Sequence, residues 1–140
     1  MKIKGLDHLV ITTQDLGKCL AFYGEILDME IRQREGRYAL FFGSQKINVH
    51  KEKAEFLPAA AHVTYGSQDL CLIAEGSITE IYEEIKRKGY PVEVPPCRRN
   101  GALGPMQSIY LRDPDGNLVE ISSYVEDSCG VEAASEDTAV

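Results

Sequence analysis

Apolar and polar positions alternate at the start of the chain. Residues 4–13 carry the β-branched run HLVITT and read as a strand, with His8, Val10 and Thr12 on one face and Leu9 and Ile11 on the other. The period then changes. Leu16, Leu20, Tyr23 and Leu27 recur at helical spacing and predict a helix over residues 15–27. Thr13 or Asp15 would cap it, while Gly17 and Gly24 make it depend on packing. Three short strands are predicted near residues 30–35, 37–42 and 46–50, punctuated by Gly36 and Gly43-Ser44.

Residues 51–66 read as a linker, polar at first and then passing through Pro58 and three alanines. A second strand–helix–strands run follows. Residues 69–74 predict a strand. Ser77-Ile78-Thr79-Glu80 is a capping box ahead of the apolar face Ile78, Ile81, Tyr82 and Ile85, with Lys86, Arg87 and Lys88 in the last turn and Gly89 just beyond. A short strand over residues 90–96 should stop at Pro95-Pro96. The run RRNGALGP, residues 98–105, reads as a glycine-containing loop. Strands are expected at residues 107–112 and 118–124, joined by the turn Asp113-Pro114-Asp115-Gly116-Asn117. Residues 126–140 form an acidic, small-residue-rich tail of low expected order.

The order β-α-β-β-β, read twice, predicts an α+β fold. The later connections of each half are too short for crossover helices, which excludes a doubly wound sheet. We expect one domain over residues 1–125, with modules at about 4–50 and 67–124 joined by the linker 51–66.

The halves also match as sequence. Shifting residues 38–50 forward by seventy lays YALFFGSQKINVH on SIYLRDPDGNLVE, so that His50 falls on Glu120. Shifting HLVITT by sixty-one lays His8 on Asp69. Each of these four positions bears a metal donor. Two imidazoles and two carboxylates suit zinc, nickel, cobalt, manganese or iron and leave coordination positions open for a substrate or water. No thiolate is among them, which argues against a closed structural zinc site. Taken singly, His8 reads as a core histidine, His50 as a solvated strand end and Asp69 as a strand-start residue. Glu120, inside LVEISSY, is costly to bury without a partner.

Other features carry less. Arg98 and Arg99 are cations beside a glycine turn and could hold a substrate carboxylate. Tyr110 either faces the cavity or packs. His62 reads as a surface residue of the linker, and Cys71, on the Asp69 face, as a small buried hydrophobe. The glycines of RRNGALGP make neither a P-loop nor a dinucleotide fingerprint.

Composition narrows the function classes. The 140 residues are 44% hydrophobic and carry a net charge of −7, with no basic run. That is enough chain for one real core and a poor partner for nucleic acid. No apolar stretch approaches the roughly 20 residues of a membrane span, and the N-terminus lacks a signal-peptide core. Cys19, Cys71, Cys97 and Cys129 are far apart, as expected of reduced cytoplasmic thiols.

The runs LDHLVITTQDL at Leu6, FYGEIL at Phe22 and RDPDGNLVEI at Arg112 resemble the vicinal oxygen chelate superfamily, which includes glyoxalase I, fosfomycin-resistance thiol transferases, extradiol dioxygenases and bleomycin-binding proteins. The resemblance spans residues 4–124. FGSQKINVH, GSQDLCLIAE, RNGALGPMQSIYLRDPDGNLVE and ISSY are similar, more narrowly, to the glyoxalase-domain-containing protein 5 or virulence-protein-like subgroup. The resemblance implies paired βαβββ modules curling into a cupped mixed sheet around one divalent metal, with ligands on the first and last strands of each module. It implies a substrate that chelates through adjacent oxygens, and a general-base role for Glu120. The chain departs from glyoxalase I at His50, where that enzyme has glutamate, and at Asp69, where it has histidine. No glutathione-binding pattern stands out.

The leading expectation is a metal-dependent, glyoxalase I-like homodimer acting on a small molecule, with ligands His8, His50, Asp69 and Glu120 and substrate contacts from Arg98, Arg99 and Tyr110. Alternatives are a thiol transferase or ring-cleaving dioxygenase of the same fold, or a non-catalytic binder that sequesters a small molecule.

Overall fold

The computed structural model describes residues 1–126. The tail expected at residues 126–140 lies, apart from Glu126, outside the described residues, as does Cys129. The elements run β1 (His8–Thr12), α1 (Leu16–Ala21) continued by a π-helical turn (Phe22–Ile26), β2 (Glu30–Arg34), β3 (Arg37–Phe42), β4 (Gln45–His50), β5 (Asp69–Ile73), α2 (Ile78–Arg87), β6 (Val94–Gly101), β7 (Gly104–Arg112) and β8 (Leu118–Ser123). They form two four-stranded mixed sheets, ordered β1-β4-β3-β2 and β5-β8-β7-β6. In each, the outer strand pairs in parallel with its neighbour and the remaining pairs are antiparallel. This is the paired βαβββ pattern.

The described chain separates into two compact units, residues 1–68 with 113–117, and residues 69–112 with 118–126. In the first, Ile11, Leu40, Ile47 and Val49 are buried with Phe22 and Tyr23 of the π-turn. The Asp15 side chain caps α1 by accepting from Lys18 N–H. The predicted continuous helix gives way at Phe22, where Leu27 N–H bonds the carbonyl five residues back. Gly24 is tight there, because a β-carbon would press on the Ile31 side chain.

In the second unit Ile78 and Ile85 of α2 are buried, as are Ile109, Leu111, Val119 and Ile121 of the sheet. Ser77 Oγ accepts from Glu80 N–H at 3.2 Å, the N-cap bond of the expected capping box.

Two sequence expectations are corrected. The prolines at 95–96 do not end β6. They sit where the ladder slips between Val94 and Cys97, on the outermost strand, where missing amide donors and an extra residue are tolerated. Arg98 and Arg99 accordingly lie on a strand and not in a glycine loop. The hairpin reverses at Ala102-Leu103, and Gly101 is required beside it because a β-carbon would collide with the Tyr124 hydroxyl and the Met106 sulfur.

The second correction concerns the repeat. His8 pairs with Lys46, and Asp69 pairs with Leu118. If His8 matches Asp69, the last strands match at a shift of 118 − 46 = 72, not seventy. Asn48 then stands in the place of Glu120, and His50 in the place of Ser122. The gapless alignment misses this because residues 113–117 form a longer turn than Gly43-Ser44.

Candidate functional site

The open face of the second sheet follows from strand alternation. Asp69 and Cys71 of β5, Glu120 and Ser122 of β8, Ser108 and Tyr110 of β7, and Cys97 and Arg99 of β6 share it, since Cys71 pairs with Glu120, Glu120 with Tyr110, Ser122 with Ser108, Ser108 with Cys97, and Arg99 with Met106. Glu120 is at the centre of this polar row. Its Oε1 is buried and has no hydrogen-bond partner among the described residues. Arg99 Nε donates to Tyr110 Oη at 3.0 Å, and Arg99 Nη1 donates to the Arg98 carbonyl at 2.8 Å. The guanidinium also lies 5.3 Å from the Tyr110 ring centre. Burial raises the Tyr110 pKa, the hydrogen bond from Arg99 opposes that, and Glu120 raises it again, so the phenol stays protonated. Burial likewise pushes the Cys71 thiol up, with Glu120 adding to the effect. Cys71 and Ser122 are 3.1 Å apart, and Ser122 and Ser108 2.7 Å apart, a row of small polar groups leading from Glu120.

Tyr110 and Arg99 thus join Glu120 on one face. Arg98 does not, because alternation turns it to the opposite side, where it is exposed. Asp69 lies on the Glu120 face but at an exposed strand start, two ladder positions away.

The histidines belong to the first unit. His8 is exposed at the start of β1 and its Nδ1 lies 2.7 Å from Asp7 Oδ2. That contact holds Asp7 below the usual carboxylate range. His50 pairs with Thr12 at the other end of the ladder, so four residues separate the two histidines along the strands, about 13 Å at ~3.3 Å per residue. The His50 ring meets Phe56 edge to face at 5.1 Å. It also borders a cavity of about 360 Å³ that His62, Thr12 and Gln68 help to line, so His62 is more than an isolated surface residue.

Among the described residues no three His, Cys, Asp or Glu side chains gather closely enough to hold a metal ion. The expected convergence of His8, His50, Asp69 and Glu120 is therefore not found there: register keeps the two histidines apart, and Asp69 stops short of Glu120. The donor chemistry still fits a divalent ion. The unpartnered Glu120 Oε1 needs a cation or donor, and the Asp7–His8 contact is the outer-shell arrangement that orients a ligating imidazole.

Sequence reasoning read the DPDGN segment only as a turn. In the first unit it is a polar anchor. Tyr23 Oη donates to Asp113 Oδ2 at 2.8 Å, Thr13 Oγ1 to Asp115 Oδ2 at 2.6 Å, Gln14 N–H to Asp115 Oδ1 at 2.9 Å and Gln68 N–H to Asn117 Oδ1 at 2.8 Å. Gly66 is needed because a β-carbon would strike the Asp115 carbonyl.

Virulence protein STM3117 of Salmonella typhimurium is 45% identical over 89% of this chain and 88% of its own length. Its crystal structure superimposes with a TM-score of 0.85, covering 89% of this chain and 100% of that one. Glyoxalase domain-containing protein RDO1 of Mycosarcoma maydis is 45% identical over 89% of this chain and 70% of its length. The crystal structure of a lactoylglutathione lyase from Agrobacterium tumefaciens shares the fold at 21% identity, with a TM-score of 0.68 over 88% of this chain and 96% of that one. With its two mixed sheets, its matched relatives and a family model spanning residues 5–121, the chain belongs to the Glyoxalase/Bleomycin resistance protein/Dioxygenase superfamily.

Proposed function

We propose that the protein is a metal-dependent, glyoxalase I-like enzyme acting on a small substrate with two adjacent oxygens, and that Glu120 is its general base. The observation that carries this reading is the buried Glu120 Oε1, which has no hydrogen-bond partner among the described residues, beside a tyrosine held by an arginine. A buried carboxylate oxygen left bare costs stability, and such groups persist where a ligand or reaction uses them. A divalent ion held by Glu120 and by His8, whose ring Asp7 orients, would polarise the substrate oxygens and acidify the carbon-bound hydrogen between them.

The chain's own residues account for the rest. Glu120 takes the proton from the substrate carbon while the electron pair moves toward the neighbouring carbonyl oxygen, then returns the proton to the adjacent carbon. The protonated Tyr110, held by Arg99, can donate a hydrogen bond to an oxygen that gains charge in that step. The Arg99 guanidinium, with Nε on Tyr110 and Nη1 on the Arg98 carbonyl, would use Nη2 to hold a distal carboxylate of the substrate. The protein would act as a homodimer: Val10 and Ile73, on the open faces that carry His8 and Glu120, are 36% and 58% exposed and suit pairing. Cytoplasmic placement fits Cys19, Cys71 and Cys97, all free thiols. Among the described residues no helix is long and apolar enough to cross a membrane.

The test is a screen of thiol hemithioacetals with added nickel, zinc, cobalt, manganese or iron, following solvent deuterium entry at the substrate carbon. Turnover with deuterium exchange is expected, and Glu120→Asp should lose most of kcat. A Glu120→Asp variant matching the parent in kcat would remove Glu120 as the base. Oxygen consumption on a catechol with iron, and no hemithioacetal turnover, would replace isomerisation with ring cleavage.

A further inference from the structure

The first unit gathers positive charge in one place on a chain whose net charge is −7. A cavity of about 400 Å³ opens over β2, β3 and β4, lined among others by Arg32, Arg34, Arg37, Lys46, Asn48 and His50. Register makes this crowding specific. Arg34 and Arg37 face each other directly across the β2–β3 hairpin, a like-charge pair that destabilises a sheet unless something anionic lies between the two.

Arg32 is answered within the protein, by Glu30 at 2.8 and 3.1 Å. Among the described residues Arg34 and Arg37 have no carboxylate partner: the arginine ion pairs there are Arg32 with Glu30 and Arg112 with Glu93. Lys46 shares its charge with Asp7, and Glu35 is the one acidic lining residue. Two of these cations sit over aromatic rings. The Arg37 guanidinium lies 4.0 Å over the Phe56 ring, and that of Arg32 lies 4.0 Å over Phe41. A ring against the Arg37 guanidinium restricts its motion, and the N–H fork of an arginine matches carboxylate and phosphoryl groups. Phe56 also contacts His50, so one linker residue positions the arginine and the histidine together.

We infer that this cavity binds a small oxyanion-rich molecule carrying at least two negative charges, with Arg34 and Arg37 as its principal contacts and Lys46 and Asn48 completing the site. This deepens the functional reading by naming the substrate class, and rests on it only in taking the ligand to be the substrate. One anionic group would bridge Arg34 and Arg37, and a second would reach toward Lys46. A monoanion would answer the arginine pair and leave the second group of contacts unused.

Calorimetric titration of chelator-treated, metal-free protein at constant ionic strength tests this with citrate, inorganic pyrophosphate and acetate. Citrate or pyrophosphate should bind at least tenfold more tightly than acetate. The stronger of the two tells whether the groups recognised are carboxylates or phosphoryls. The double variant Arg34→Gln, Arg37→Gln should weaken binding at least tenfold and Arg34→Gln alone at least threefold, while Arg98→Gln, on the other sheet, changes nothing. Circular dichroism checks each variant's fold, and the exposed Arg34→Gln decides the matter if the double variant misfolds. Equal affinity for acetate and the polyanions, or undiminished binding by Arg34→Gln, overturns the proposal. Because no metal is present, these results are independent of whether the metal site or the isomerase activity exists.

Discussion

The hydroxyl of Tyr23 donates to Oδ2 of Asp113 at 2.8 Å, a buried bond that ties the π-turn of the first unit to a segment ninety residues further on. Asp113 also accepts from the N–H groups of Asp115 and Asn117 at 2.9 Å each and from Asn117 Nδ2 at 2.7 Å. One carboxylate therefore shapes its own turn and fastens it to the Tyr23 core. Tyr23→Phe should destabilise the protein by about 1–3 kcal/mol, because the bond to a charged acceptor is lost where water cannot replace it. Urea unfolding measures this, and an unchanged midpoint would show that the bond carries no weight.

Glu120→Gln separates metal binding from packing. In chelator-treated protein the neutral amide should leave stability equal or higher, because the charge behind a buried oxygen with no hydrogen bond among the described residues is removed. Adding nickel or zinc should raise the melting temperature of the parent, by linkage worth about 2.7 kcal/mol at a hundredfold excess over Kd, and leave the variant unmoved. Equal metal-induced shifts in both would exclude Glu120 as a ligand. Full metal occupancy in a His8→Ala, Glu120→Ala double variant would exclude the pair.

Arg99→Ala should mainly raise KM if the guanidinium holds a distal substrate carboxylate, since that contact is alike in ground and transition states. It should also raise the Tyr110 pKa further, because the Arg99 hydrogen bond is what opposes burial and Glu120. Ultraviolet difference titration against the Tyr110→Phe variant isolates that phenol. A downward shift would contradict the geometry.

Cys19 makes stability depend on alkaline pH. Burial first, then the charge of Asp113, pushes its thiol from the ordinary 9.0 up to about 12. The folded state holds this proton more tightly than the unfolded chain. The contribution is fully present below pH 9 and is lost as pH rises from 9.0 toward about 12, at up to ~1.4 kcal/mol per pH unit. Cys19→Ala should flatten that part of the unfolding curve, apart from the parallel effect of Tyr23, whose pKa burial also raises. A curve equally steep in the variant would assign the slope elsewhere.

Gly101→Ala should cost about 1–3 kcal/mol, because its β-carbon meets the Tyr124 hydroxyl and the Met106 sulfur at the β6–β7 hairpin. Tyr124→Phe should recover part of the loss by clearing one obstacle, at the expense of the bond from Leu103 N–H to the Tyr124 hydroxyl at 3.1 Å. Thermal melts of the two single variants and the pair give the coupling.

What sequence alone determined is local. Period-two and period-3.6 patterns located the strands and α2, and the Ser77 capping box marked its start, because these depend on neighbours within a few residues. The two βαβββ modules followed from their order, and Glu120 was legible because a carboxylate amid apolar strand residues needs a reason. Tertiary structure decided register and partnership. Proline at 95–96 reads as a strand end until a bulge on the outermost strand is seen to accommodate it, and that placed Arg99 on a strand facing Tyr110. The gapless repeat put His50 with Glu120, whereas the ladders put Asn48 there, since turn length fixes pairing and a two-residue difference leaves the hydrophobic pattern unchanged. The anchoring of residues 113–117 to Tyr23, and the facing of Arg34 and Arg37 over a cavity, are long-range or cross-strand contacts. No window of the chain contains the first, and the second has meaning only once the strands beside it are in place.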